Sequence, residues 1–169
     1  NTMDPMCEKY YSISPYVYCN NNPIMYIDPN GMDIYRYDEK TGTFYLVEEN
    51  DDEFDQVGKF EYDKKNDEYV PRVNKNGEVK TLIDNVEKGI LSDGINFKEN
   101  SNIIAVGGEG QASVDGVESF ILKLSDMVGK EIAGAYFSKD GAGSTTHMSI
   151  GKYANNRFDQ ANSRGHVVW

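Results

Sequence analysis

The sequence predicts an α+β fold: mostly antiparallel β-hairpins in a meander, with one main helix over about residues 114–128 packed on a sheet. Three observations carry that prediction. Residues 34–47 and 60–70 each set aromatic and β-branched side chains on both sides of a short polar turn, which is the pattern of a hairpin. Val117, Phe120, Ile121, Leu124 and Val128 recur at the spacing of one helical face. The composition, with 12 Tyr, 7 Phe and 1 Trp in 169 residues, suits pleated, half-buried surfaces.

Taken in order, residues 1–31 are dense in Pro and Asn. Pro5, Pro15, Pro23 and Pro29 push their preceding residues toward extended backbone. Asn20-Asn21-Asn22-Pro23 and Asp28-Pro29-Asn30-Gly31 read as turns between short strands at 16–18 and 24–27. Two such strands bury little by themselves, so this segment is expected to need a neighbour. Residues 32–83 read as the meander. The first hairpin turns at 38–42 and the second at 63–67; a further turn at Asn74-Lys75-Asn76-Gly77 precedes a strand at 79–83. The two hairpins form a weak two-fold repetition, too short for a solenoid. Between them, Glu48-Glu49-Asn50-Asp51-Asp52-Glu53 with Asp55 lacks the alternating ligands and internal glycine of a calcium loop and reads as a solvated loop.

Residues 85–91 suggest a helical turn or two ended by Gly94. A strand at 103–106 runs into Gly107-Gly108-Glu109-Gly110, which has neither the Gly-Lys-Ser/Thr nor the GxGxxG of a phosphate loop and reads as a flexible turn. Ser113 or Asp115 caps the main helix and Gly129 ends it. Strands are expected at 132–137 and 145–150, with a turn at 139–143 between them, and the chain stops within the apolar run His166-Val167-Val168-Trp169. That stop suggests a truncated domain.

Charge narrows the function classes. With 17 basic and 28 acidic residues the net charge is -11, which repels nucleic-acid phosphates and leaves no basic patch to offset it. No apolar stretch approaches membrane-spanning length. Cys7 and Cys19, the only cysteines, have no metal or redox spacing and read as small apolar residues, with a disulfide as the alternative in an exported protein. His147, on a strand face with Thr145 and Ser149 that is expected to be exposed, has no nucleophile partner at a useful spacing, and His166 is similar.

The leading segment carries the most specific pattern. Asp4-Pro5, then Tyr16-Val17-Tyr18 with Asn21-Asn22-Pro23, then Asp28-Pro29-Asn30-Gly31, resembles the closing signature of an RHS repeat-associated core over about residues 1–32. The resemblance implies a secreted polymorphic toxin whose β-repeat shell encloses a variable C-terminal cargo, delivered to a rival or host cell and matched by an immunity protein. It also implies an aspartate pair, Asp4 and Asp28, able to cut between Met32 and Asp33. Close carboxylates can share a proton and activate a water. Met32 stands where self-cleaving members carry Leu, and for the chain as it stands both aspartates read first as turn caps.

A second resemblance lies downstream. A helix followed by Glu131-Ile132-Ala133-Gly134-Ala135-Tyr136-Phe137-Ser138 is similar to the opening of JAB/JAMM (MPN) metallopeptidase domains. There the glutamate is the general base for a zinc-bound water, as a zinc hydrolase requires. The implied organisation is an RHS core end at 1–32, a β-meander at 33–83 and a JAB-like α+β region at 84–169, acting on a peptide or isopeptide bond. The family's zinc is held by a His-x-His-Pro pair and a later Asp. Neither His147 nor His166 has a histidine two positions away, so this fragment is expected to hold no cofactor and to be inactive, with zinc in a longer form. The alternative is a non-enzymatic β-rich binding or linker module attached to an RHS core.

Overall fold

The computed structural model describes residues 32–138 and 144–153. Its elements, in chain order, are β1 Asp33–Asp38, β2 Thr43–Glu48, β3 Phe54–Gly58, β4 Phe60–Asp63, β5 Glu68–Pro71, β6 Thr81–Glu87, β7 Asn102–Ala105, α1 Val114–Val128, β8 Gly134–Phe137 and β9 His147–Ile150. This is an α+β arrangement, with strands in three sheets ordered β2-β1-β3-β6, β4-β5 and β7-β9-β8.

Both expected hairpins form. In the first, the Asp38 carboxylate accepts the N–H groups of Lys40 and Thr41 at 2.9 and 3.3 Å. Gly42 closes the turn at φ 76, and a Cβ there would lie 2.2 Å from Lys98 Cβ, so the position needs glycine for both backbone and space. In the second, Asp63 accepts Lys65 N–H at 2.9 Å and Tyr62 donates its hydroxyl to Asp67.

The main departure from the sequence reading is β3. Asp55 was expected in a solvated acidic loop; it instead sits in a central strand, 1% exposed. β3 runs parallel to β1, pairing Asp33 with Asp55 and Tyr35 with Val57, and antiparallel to β6. The region is therefore not a simple meander: the chain leaves β2 and returns on the far side of β1. The short Phe-Asp-Gln-Val-Gly run has no clean two-residue alternation, which hid it. The helical turn expected at 85–91 is also corrected. β6 extends through Glu87, and Asn85 takes a positive φ of 47. Buried Ile83 and Val86 are three apart, a helix-like spacing produced here by register shifts in the β3–β6 ladder.

Helix α1 matches expectation. Ser113 caps it, its side chain accepting Gly116 N–H at 2.9 Å. Gly129 ends it in the left-handed conformation. Its buried face, Val117, Phe120 and Leu124, packs on β6 and β9. Phe120 meets Phe97 and Phe44 with ring centroids 5.4 and 6.4 Å apart, and Phe44 meets Phe97 edge-on at 5.8 Å. One core cluster runs from Tyr35 to Tyr153 and takes residues from the four-stranded sheet, the helix and the three-stranded sheet. A second, smaller apolar contact lies around Gly58, where Ile34, Phe60 and Val79 converge. The β4–β5 hairpin is tethered there through Lys59 N–H to Lys80 O at 2.7 Å and Arg72 N–H to Lys59 O at 2.8 Å.

Candidate functional site

Glu131 follows directly from the end of α1. Lys130 N–H bonds Ser125 O at 3.3 Å, and Ser125 Oγ donates to Lys130 O at 2.5 Å, so the helix exit is fixed. β8 begins at Gly134, two residues later than expected for this strand. Helix and strand approach closely here: a Cβ at Gly134 would lie 2.8 Å from Ile121 Cδ1, and Tyr136 donates its hydroxyl to Glu118 of α1. The Glu131 side chain is exposed. Among the described residues, no group of three or more His, Cys, Asp or Glu side chains could hold a metal ion.

His147 opens β9, the central strand of its sheet, opposite Ala105 on one side and Phe137 on the other. It is half-buried, stacked on the Phe137 ring at 5.5 Å, with Thr146 Oγ1 2.9 Å from Nδ1. Thr145 lies just outside the strand, and Ser149, expected on an exposed face, is 6% exposed because β7 and β8 flank it. Asp4, Asp28, Cys7, Cys19 and His166 lie outside the described residues.

The densest charged constellation is one that sequence reasoning missed. Asp33 at the start of β1 and Asp55 in β3 are paired in register. Lys88, one residue beyond β6, places Nζ 2.5 Å from Asp33 Oδ2 and 2.8 Å from Asp55 Oδ1. The side chains of Asp55, Asp33 and Lys88 are 1%, 11% and 32% exposed. Asn50 N–H donates to Asp33 Oδ1, Asn50 Nδ2 donates to the Met32 carbonyl at 2.9 Å, and Lys88 Nζ reaches Asn50 O at 3.4 Å.

Two carboxylates and one ammonium leave this corner one negative charge in excess when all are ionised. Burial raises the Asp55 carboxyl above the ordinary carboxylate range; Lys88 pulls it back and the facing Asp33 adds to the rise. Burial works against the charge on Lys88, but Asp33 and Asp55 outweigh it and hold the ammonium above its usual value. Buried Tyr35, beside both aspartates, is likewise pushed up by desolvation and then by their charge. The arrangement can share a proton between two carboxyl groups and pass one to or from an amine. No motif links positions 33, 55 and 88, because the contact is made only by strand pairing.

A second ordered feature lies where β4–β5 meets the large sheet. The Arg36 guanidinium sits over the rings of Tyr69 at 3.8 Å and Tyr45 at 4.5 Å, and Tyr69 contacts Tyr62 at 5.2 Å. Tyr62 and Tyr69 are 47% and 46% exposed. No protein-family model, curated protein or solved structure matches this chain.

Proposed function

We propose that this chain is the C-terminal cargo region of a secreted RHS-family polymorphic toxin, with residues 84–169 resembling a JAB-like zinc metallo-isopeptidase. The observation that supports the reading is the ordered set Asp4-Pro5, Asn21-Asn22-Pro23 and Asp28-Pro29-Asn30-Gly31 in the leading segment. The helix that delivers Glu131 to the start of β8 supports the narrower, metallopeptidase reading.

On this reading Glu131 is the general base of a zinc-bound water in the full gene product, and the substrate is a peptide or isopeptide bond in a target cell. The test measures zinc content and hydrolysis of isopeptide-linked substrates on the full gene product, with and without Glu131→Gln. Stoichiometric zinc in both, with hydrolysis lost in the variant, is expected. A gene product that takes up no zinc ends the peptidase reading.

The second reading, a non-enzymatic binding module on an RHS core, is favoured by the half-exposed Tyr62 and Tyr69, which contact each other while Arg36 lies over the Tyr69 ring, since amphipathic aromatics and arginine are enriched at recognition surfaces. It expects neither zinc nor hydrolysis in the same experiment, but retention of a partner that Tyr62→Ala with Tyr69→Ala releases.

A further inference from the structure

We propose that Lys88 and Asp55 are the partners of an intramolecular isopeptide cross-link, with Asp33 as the base that enables it. The proposal is independent of the toxin reading. It rests on the juxtaposition of an amine and two carboxyl groups in a corner closed to water on the Asp55 side.

Proximity is the first argument. Lys88 Nζ lies 2.8 Å from Asp55 Oδ1, so the carboxyl carbon is one bond further on, within reach of a small side-chain rotation. Groups held this way react with effective molarities on the order of 10⁵–10⁸ M. The contact is an ion-pair approach without a well-directed hydrogen bond, since Asp55 Oδ1 is left without an aligned donor. Asp55 lies on β3 and Lys88 one residue beyond the neighbouring β6, Asp55 pairing with Val86 and Phe54 with Glu87, so the bond would staple β3 to the end of β6.

Proton inventory is the second. The more buried carboxyl, Asp55, is the one whose neutral form is favoured, by desolvation first and then by Asp33. Two carboxylates hold the Lys88 ammonium charged; once Asp55 is neutral one of them is gone, and the Asp33 carboxylate, 2.5 Å from the same Nζ, takes its proton. The neutral amine then attacks Asp55 Cγ, the C–N bond forms, the C–OH bond breaks, and the hydroxyl leaves as water with the second amine proton. Ammonium, carboxylate and carboxylic acid become an amide, a protonated Asp33 and one water, so atoms and charge balance with no external reagent. The reacting state, with Asp55 protonated, and the product are both neutral, so no charge is created in the buried corner. Burial of Asp55 at 1% exposure protects the amide from hydrolysis. Tyr35 lies beside both aspartates, and Asp93 and Glu49 act on its hydroxyl from further off; none of them supplies a competing amine.

The test is the intact mass of the purified 169-residue chain under denaturing conditions, followed by a peptide map. The expected result is a mass short by one water, with a branched peptide joining Lys88 to Asp55. Lys88→Arg and Asp55→Ala each restore the full mass, and Asp33→Ala leaves most of the chain unlinked, with circular dichroism confirming the fold. Cyclisation at Asp-Gly pairs such as Asp93-Gly94 also removes one water, so the branched peptide decides. A folded wild-type chain at full mass, or short by one water with no Lys88–Asp55 peptide, overturns the proposal. Cross-linking in Asp33→Ala at the wild-type level overturns the role given to Asp33.

Discussion

The Glu87 carboxylate, at the end of β6, accepts both the backbone N–H and the hydroxyl of Ser113 at 2.5 and 2.8 Å, while the Ser113 side chain in turn accepts Gly116 N–H. A strand thus caps the helix that packs on it. The anion also lies where the helix dipole favours negative charge.

Because Glu87 holds the hydroxyl with which Ser113 caps the helix, their substitutions should not add. Ser113→Ala is expected to cost about 1 kcal/mol. A double-mutant cycle with Glu87→Ala, read by urea denaturation, should give a coupling of at least about 0.5 kcal/mol. Strict additivity would mean that the strand and helix caps are independent.

Phe120→Ala removes the ring shared by Phe44 and Phe97 and should cost about 3–5 kcal/mol. Leu122, on the opposite face at 68% exposure, is the control: Leu122→Ala should stay within about 0.5 kcal/mol. Equal effects would contradict the assignment of the buried face.

Compared with the unlinked chain, Lys88→Met leaves Asp33 and Asp55 facing each other without their cation and is expected to cost about 3 kcal/mol at neutral pH. The loss should shrink on acidification. The folded-state value of Asp55 is raised, so the stability linked to its protonation is fully present below the ordinary carboxylate value and lost as pH rises through the raised one. Adding Asp55→Asn to Lys88→Met should flatten that pH dependence. Thermal melts between mildly acidic and neutral pH check both.

Arg36 ties β1 to the β4–β5 hairpin by stacking on Tyr45 and Tyr69. Arg36→Lys loses the planar face and should weaken this attachment by about 1 kcal/mol, seen as faster amide exchange within residues 60–71 and unchanged exchange in α1. Uniform acceleration would instead point to global destabilisation.

Glu131→Gln should change stability by no more than about 0.5 kcal/mol, because the side chain is exposed. Any function lost in that variant is then chemical. A large drop in melting temperature would assign Glu131 a structural role.

Local pattern was enough for much of this protein. The two hairpins, the helix with its Ser113 and Gly129 caps, and the strands leading to and from it were all legible, because turn chemistry and side-chain periodicity act over a few residues. The junction of helix and strand at which Glu131 stands was also legible. Only the tertiary structure placed Asp55 in a buried parallel strand, carried β6 through Glu87, and brought Lys88 between two aspartates distant in sequence. Those outcomes depend on which strands pair, and the β1–β3–β6 pairing buries Tyr35, Val57, Ile83 and Val86 in one shared core, a property that no short window of sequence contains.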